Sequence, residues 1–313
     1  SSKVSLSIPQ ELQLQNMGET SKFSWIENDS CFALLDHNRI VWQFNYNTKH
    51  GKPFFHPIYV NKSRITCLSP DDHIWHLGQW FSWKFINEKN YWEYIGNTYQ
   101  SEGITDVQEI KLNKGKDFSV EITLKIEYRP QNGETILRED RIIQISPPQK
   151  DGSIYMDYNM VFEAIADKVD LNRTPIEGEP DGMSWGGYAG LSIRFNQDMM
   201  RPQFISSFEE INKINGMAGD WLYMGFQGLN GEPIGSAIMI ADDSRREGEA
   251  WYTVNTPEQP FYYFSPAYLY LKPHLLNKGE KINLKYRILH VSGDASFESL
   301  NQEFKKYSNH EKN

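Results

Sequence analysis

The residues best suited to chemistry lie close together between positions 53 and 94, a segment rich in histidine and tryptophan. His73 and His76 are three residues apart and follow the sequence Ser-Pro-Asp-Asp, which favours a turn, so their side chains are expected on one face. His56 precedes them in the same segment. Imidazoles titrate near neutral pH, and two that lie together can serve as a general acid and a general base. This segment is therefore the predicted working site.

The same imidazoles also permit metal binding, since neutral imidazole is a common metal ligand. Convergence of His56, His73 and His76 would create a site for a single divalent metal ion. A cysteine zinc cluster is excluded because the chain contains only 2 cysteines. The His-Glu-x-x-His zinc motif and the Gly-rich phosphate loops do not occur in the sequence either. Acid–base chemistry and a metal site both remain open at this point.

Tryptophans adjoin these histidines and suit contact with a sugar. An indole ring stacks on the apolar face of a sugar while polar neighbours bind the hydroxyls. Trp75 and Trp80, beside the histidines, are the candidates for this contact. Phe81, Trp83 and Phe85 alternate with polar residues and are therefore expected in the core.

A second group of candidates lies between positions 181 and 195, where several glycines precede an alternating run. Glycine lets the backbone approach a ligand closely, and Trp185 in this stretch is a further candidate for substrate contact. Tyr188 can donate or accept a proton if neighbouring cations lower its pKa. Arg194 can bind a carboxylate through two parallel hydrogen bonds. The predicted catalytic residues are thus His73, His76, Tyr188 and Arg194, and the predicted substrate-binding residues are His56, Trp75, Trp80 and Trp185.

The net charge of the chain indicates which classes of molecule it can bind. The formal net charge is -9 at pH 7, which argues against nucleic acid, because neutralising phosphates needs clustered lysines and arginines. An oligosaccharide from an acidic polysaccharide is still a suitable partner, since a few cations in a cleft can bind a carboxylate or sulfate locally. No oligomeric state is predicted.

Membrane insertion is not expected, because no apolar run approaches the roughly 18–20 residues that a membrane-spanning helix requires. The sequence begins Ser1-Ser2-Lys3 without methionine. Such a start predicts that an export signal has been removed, and hence a periplasmic or secreted location.

The elements that must position these residues are predicted to be β-strands. From Phe118 to Tyr128 apolar residues alternate strictly with polar ones, which is typical of a half-buried antiparallel strand. The turn-forming sequence at residues 130–134 then predicts a hairpin with residues 136–145. Further strands are expected at residues 154–165, 190–196, 221–226, 234–241, 262–271 and 282–291. The C-terminal segment shows a helical period, with Phe297, Leu300, Phe304 and Tyr307 on one stripe.

Many strands joined by turns, without alternating helices, predict an all-β fold. The expected architecture is a large antiparallel β-sandwich with a short C-terminal helix. No internal repeat and no long linker marks a boundary, so residues 1–313 are expected to form a single domain.

Five stretches of the sequence resemble, in order, the PmoA-like family of bacterial proteins, which was named for a methane oxygenase subunit. They are KPFFHPIYV, DDHIWHLGQWFSW, YWE, GGYAGLSIRF and KINLKYRILHVSGD. The resemblance implies a secreted or periplasmic protein encoded among polysaccharide-degradation genes, with the β-supersandwich of sugar mutarotases and polysaccharide lyases. It places His56, His73, His76, Tyr188 and Arg194 on the family's recurrent polar positions. It therefore implies carbohydrate chemistry and not oxygenation.

The residues and the resemblance together predict an elimination enzyme, a lyase or a dehydratase, that acts on oligosaccharides from an acidic polysaccharide. Arg194 would neutralise a uronate carboxylate, while a histidine and Tyr188 supply the base and the acid. A glycoside hydrolase is the alternative, and it needs two carboxyl groups across the sugar site. A sugar-binding protein without catalysis is a third hypothesis. The carboxyl candidates for hydrolysis are Asp71, Asp72, Glu93, Glu163 and Asp181.

Overall fold

The described part of the chain is built almost wholly from antiparallel β-strands, as predicted. A computed structural model describes residues 22–208 and 214–310. Residues 1–21, 209–213 and 311–313 of the predicted single domain lie outside the described residues. In chain order the strands are β1 (Phe23–Glu27), β2 (Cys31–Asp36), β3 (Arg39–Asn45), β4 (Phe54–Val60), β5 (Ser63–Arg64), β6 (Gln79–Ser82), β7 (Phe85–Ile86), β8 (Lys89–Asn90), β9 (Gly103–Lys114), β10 (Val120–Pro130), β11 (Leu137–Ile145), β12 (Ile154–Ala164), β13 (Lys168–Asn172), β14 (Gly190–Arg194), β15 (Met200–Ser206), β16 (Trp221–Gln227), β17 (Pro233–Ile240), β18 (Ala250–Thr256), β19 (Phe261–Ala267), β20 (His274–Asn277) and β21 (Lys281–Ser292).

Two large sheets contain most of these strands. The first sheet has nine strands, in the order β1-β2-β3-β4-β6-β14-β19-β18, with β5 paired to β4. The second has eight strands, in the order β15-β16-β17-β21-β12-β11-β10-β9. A small sheet of four strands, β20-β13-β7-β8, adjoins them. The predicted β-sandwich is therefore confirmed.

The hydrophobic core lies between the two large sheets. It takes side chains such as Trp42, Phe81 and Phe264 from the first sheet and Ile122 and Phe162 from the second. The rings of Phe81 and Phe162 lie 5.2 Å apart between centroids, so the two inner faces are in direct contact. Burying such rings is the main favourable contribution to the stability of the sandwich.

The predicted hairpin is confirmed as the β10–β11 pair, in which Val120 lies opposite Ile145 and Tyr128 opposite Leu137. The predicted C-terminal helix is α1 (Phe297–His310). It begins where the Ser299 N–H donates to the Ser296 Oγ at 3.1 Å, which is a side-chain N-cap.

Helix α1 covers the outer face of the second sheet. Its residues Leu300, Phe304 and Tyr307 pack there against Trp221 and Leu289. Within residues 22–208 and 214–310, no helix combines the length and the apolar character needed to cross a membrane.

Strands of the first sheet have two different faces, because successive side chains of a strand point to opposite sides. In β14, Leu191 and Ile193 face the core, whereas Arg194 lies on the outer face. In β6, Phe81 faces the core and Trp80 belongs to a separate ring cluster on the outer face. This outer face holds most of the predicted site.

Candidate active site

His73 and His76 lie on a loop between β5 and β6 that folds as two consecutive turns. The His73 N–H donates to the Pro70 C=O at 3.0 Å, and the His76 N–H donates to the His73 C=O at 2.9 Å. These turns stack the two imidazoles, with 4.6 Å between ring centroids and 26° between ring planes. The prediction that both side chains share one face is confirmed.

The stacked imidazoles differ in exposure but are both neutral. His76 is only 4% exposed, and its ring also stacks on Tyr263 at 5.5 Å. Burial lowers the pKa of His76 well below its usual value. Burial also lowers the pKa of His73, against the opposing effect of Asp72, and the His73 side chain is 34% exposed. His73 is therefore accessible to a ligand and can act on it as a neutral base, while the buried His76 packs against one face of the His73 ring.

Arg194 supports the same loop from the outer face of β14. Its Nη2 donates to Asp72 Oδ2 at 2.7 Å, and its guanidinium carbon lies 3.6 Å from the centre of the Phe261 ring. The Arg194 side chain is fully buried, and its Nε and Nη1 have no hydrogen-bond partner among the described residues. Asp72 Oδ2 is 3.4 Å from His73 Nδ1, too far for a strong hydrogen bond. Burial would raise the pKa of Asp72, but Arg194 outweighs it and lowers that pKa.

Tyr188 follows a loop rich in glycine and packs between two other aromatic rings. Its ring centroid lies 5.6 Å from Trp92 and 5.7 Å from Tyr252. The Tyr188 Oη–H donates to Glu93 Oε1 at 2.5 Å. Burial and the neighbouring Glu93 raise the pKa of Tyr188 far above its usual value. Tyr188 therefore keeps its proton, and the lowered pKa that a basic role would need is not found.

Glu93 is held in place by the side chain of Asn90 and by a lysine. The Asn90 Oδ1 accepts hydrogen bonds from the N–H groups of Trp92 and Glu93, at 2.8 and 3.1 Å. The Asn90 Nδ2 donates to Glu93 Oε2 at 2.7 Å, and the Lys84 ammonium forms an ion pair with the same oxygen. Burial would raise the pKa of Glu93, but Lys84 and the hydrogen bonds lower it. Glu93 is therefore ionised.

Trp92 contacts both the histidine loop and Tyr188. Its ring lies 6.0 Å from the His76 ring and 5.2 Å from Trp80, in addition to its contact with Tyr188. We refer to the joined set as the histidine site, whose members are Asp72, His73, His76, Glu93, Tyr188 and Arg194.

The three predicted tryptophans occupy different depths around the histidine site. Trp75 is partly exposed, with its ring 5.3 Å from His73. Trp185 is 51% exposed and lies 6.2 Å from Tyr188. Trp80 is 2% exposed beneath His76 and so forms the floor of the site. Trp75 and Trp185 are thus the two tryptophans placed to contact a ligand.

His56 does not join the other two histidines. Its Nδ1 shares a hydrogen bond with Thr66 Oγ1 at 2.9 Å in a buried position. In a stacked pair such as His73 and His76, the nitrogen lone pairs lie in the ring planes and do not converge on one point. Within residues 22–208 and 214–310, no three His, Cys, Asp or Glu side chains are placed to hold a metal ion. The predicted divalent metal site at His56, His73 and His76 is therefore wrong.

Several residues around the site were not predicted from the sequence. Lys84 continues the alternation of Trp80 and Ser82 along the outer face, so the pattern of β6 would have identified it. Lys52 is buried, and its Nζ donates to the Trp92 C=O at 2.7 Å. Burial lowers the pKa of Lys52 to about 7. No spacing in the sequence indicates that contact.

Comparison with known proteins shows the family of the chain and a distant structural similarity. A family model described as a family of unknown function (DUF6807) matches residues 32–305. Among solved structures, the chain is similar to the galactosidase domain of alpha-galactosidase-sucrose kinase, AgaSK, at 9% identity and a TM-score of 0.42. That similarity covers 86% of this chain and 42% of the other, so the chain spans less than half of that structure's length. No curated protein matches the sequence.

Proposed function

We propose that this chain, which belongs to the DUF6807 family of unknown function, is a carbohydrate-active elimination enzyme. The proposed substrates are oligosaccharides from an acidic polysaccharide, and the reaction is that of a lyase or a dehydratase. The observation that carries the proposal is the neutral His73–His76 stack, which shares one ring cluster with the protonated Tyr188. A neutral imidazole and a protonated phenol are the two states that a base and an acid need before reaction.

The pKa directions assign these two roles. The neutral His73 removes the proton from the carbon next to the uronate carboxylate, because its side chain is the more exposed of the two imidazoles. The electron pair of the broken C–H bond forms a C=C bond, and the C–O bond on the next carbon breaks. Tyr188 donates its proton to the departing oxygen. A departing sugar makes the reaction that of a lyase, and departing water makes it that of a dehydratase.

Arg194 supplies positive charge for the uronate carboxylate. Its guanidinium is buried below Asp72 and already binds that carboxylate. Direct contact with a uronate therefore needs the exposed Asp72 side chain to turn away. The Nη2 of Arg194 would then be free to donate to the carboxylate of the substrate.

Hydrolysis is less well supported by the carboxyl groups. Of the five candidates, the structure brings Asp72 and Glu93 to the histidine site. A glycosidase acid needs a raised pKa, so that it carries a proton at neutral pH. The pKa values of both Asp72 and Glu93 are lowered instead. This favours elimination, and a sugar-binding role without catalysis remains the third alternative.

The test is the mass of the products from uronate-containing oligosaccharides. Elimination gives either cleavage without added water or loss of water from the intact chain, whereas hydrolysis adds water. We expect His73→Asn and Tyr188→Phe each to lower turnover by about 10²-fold or more, because each removes one proton-transfer group. His37→Asn is the control, since His37 is exposed and bonds to Asp36 in the β2–β3 turn. Unchanged turnover in both site variants, or products with added water, refutes the proposal.

A further inference from the structure

A cleft that the histidine site does not use lies beside Lys52, with a volume of about 410 Å³. We call it the Lys49 cleft. Its described lining includes Lys49, His50 and Lys52 but no aspartate or glutamate. Such a lining contrasts with the chain as a whole, whose net charge is -9. The Lys49 ammonium, with no carboxylate in the described lining, gives the cleft a positive potential that attracts an anion.

Two hydroxyl groups in the Lys49 cleft are buried without a partner. Ser101 and Thr105 line the cleft and are 5% and 6% exposed. Among the described residues, neither Ser101 Oγ nor Thr105 Oγ1 has a hydrogen-bond partner. A buried hydroxyl without a hydrogen-bond partner destabilises the folded protein. If these side chains rotate towards the cleft, the hydroxyl groups of a ligand would satisfy both of them.

The basic side chains of the cleft contact aromatic side chains and a backbone carbonyl group. The Lys49 ammonium lies 3.7 Å from the centre of the Tyr99 ring and makes no ion pair within the described residues. The hydrogen bond of Lys52 goes to the Trp92 C=O. His50 shares a hydrogen bond with Tyr94 Oη at 2.9 Å, and burial lowers its pKa to about 4, so it is a neutral polar group. Lys49 is thus exposed, ordered by a ring and free to pair with an anion.

We propose that the Lys49 cleft binds an anionic sugar unit, a hydroxylated ring that carries one carboxylate or sulfate. Lys49 pairs with the anion, and Ser101 and Thr105 bind the ring hydroxyls. Lys52, which lines the cleft, contacts the backbone of Trp92 in the histidine site's ring cluster, so the Lys49 cleft adjoins that cluster. The inference rests on the proposed function only in expecting a carbohydrate.

Saturation-transfer NMR titrations with glucuronate, glucose 6-sulfate and glucose test this inference on the whole chain. We expect at least one anionic sugar to bind more tightly than glucose, and the tighter of the two identifies the anion. Lys49→Met is expected to weaken that binding about tenfold, since it removes a charge-assisted contact. Thr105→Val removes an unpaired hydroxyl and is expected to weaken binding without lowering the stability of the protein.

Two controls make the result specific to the cleft. Lys116→Met removes an exposed lysine outside the cleft and leaves binding unchanged. The same titrations on His73→Asn separate the two sites, because the proposed function lets glucuronate bind the histidine site as well. Binding at the Lys49 cleft is the part that His73→Asn retains and Lys49→Met weakens. The inference is overturned if glucose binds as tightly as both anionic sugars, or if Lys49→Met and Thr105→Val both bind like the wild type. Because the probes are monosaccharides, binding at the cleft combined with no product from any oligosaccharide would refute the proposed function alone.

Discussion

At the scale of single residues, burial decides which side chains carry charge. Tyr188, His73 and His76 lie on one side of the sheet, as expected from the sequence, but their proton states follow from contacts that no local pattern shows. The turn chemistry of Ser69–His76 was sufficient to predict that His73 and His76 share a face. His56 failed to join them because proximity in the sequence does not fix the direction of a side chain in a neighbouring strand.

Buried histidines make the stability of the protein depend on pH. Burial lowers the pKa of His56 and of His290 to about 3, from an ordinary value of 6.5. As the pH falls below 6.5, the unfolded chain binds protons at these positions while the folded protein does not. The free energy of unfolding is therefore expected to decrease from about pH 6.5 towards pH 3, by several kcal/mol, since one pKa unit corresponds to about 1.4 kcal/mol. Urea denaturation followed by tryptophan fluorescence at pH 7, 6, 5 and 4 measures this decrease.

The variant that checks this cause is His290→Gln, because glutamine does not take up a proton in the unfolded chain. The fully buried His290 bonds to Ser236 and Gln79 at 2.8 and 2.9 Å. The substitution lowers stability at pH 7 but makes its dependence on pH less steep. Glu249 acts in the opposite direction, because burial raises its pKa to about 7 and stability is lost as the pH rises from 4.5 to 7. If the free energy of unfolding depends on pH equally steeply in the wild type and in His290→Gln, His290 does not contribute to that dependence.

At the scale of secondary-structure elements, a strand could be predicted from its sequence when one of its two faces is exposed. β10 and β11 have one buried and one more exposed face, so their sequences alternate and the hairpin was found. β6 and β14 are buried on both faces, so β6 showed no exposed face to place it in the sheet. The rings of the site itself cover these strands. The rings of the site thus removed the exposed face that would have marked β6 as a strand, whereas β14 was predicted at residues 190–196.

The loop before Tyr188 depends on a glycine that passes close to another part of the backbone. A Cβ on Gly186 would lie 2.0 Å from the Pro175 carbonyl oxygen, and a backbone atom cannot move aside cheaply. We expect Gly186→Ala to displace Tyr188 and to lower turnover by about 10²-fold, the effect of misplacing a reacting group by about 1 Å. Turnover of a uronate-containing oligosaccharide measures it.

The matched control is Gly178→Ala in the same loop. A Cβ on Gly178 meets nothing within 4 Å, although its φ of +95° still opposes a side chain. This variant is expected to lose about 1–2 kcal/mol of stability but to retain its turnover. Equal turnover in the two variants would contradict the role given to Gly186.

At the scale of the whole molecule, the sandwich contains charged groups in its interior that composition does not reveal. Arg141 and Glu139 neighbour each other on β11 and are each 1% exposed. The Arg141 Nε and Nη2 donate to Glu139 at 2.5 and 3.0 Å, and Tyr128 Oη donates to the same carboxylate. The fold class and the inner faces were predictable, because alternation reports burial. This ion pair was not, because Glu139 and Arg141 occupy positions where the pattern expects apolar residues.

Removing one partner of the buried ion pair should lower the free energy of unfolding more than replacing both partners with apolar residues. Arg141→Met leaves the Glu139 carboxylate without its cation, and we expect a loss of about 3–5 kcal/mol in the free energy of unfolding. The double variant Glu139→Leu with Arg141→Met should recover most of that loss. Urea denaturation measures all three proteins. Asp140→Asn breaks an exposed pair with Lys125 and should cost about 1 kcal/mol or less. A double variant as unstable as Arg141→Met would contradict this account.

Because the strands of the first sheet are buried on both faces, they also restrict how the histidine site can be changed by mutation. In β6 and β14, every second residue belongs to the core and the others to the outer face that holds the histidine site. An insertion or deletion of one residue within such a strand would exchange the two sets at once. Combinatorial libraries that change the histidine site should therefore vary the loops at residues 69–78 and 173–189 and leave β6 and β14 unchanged.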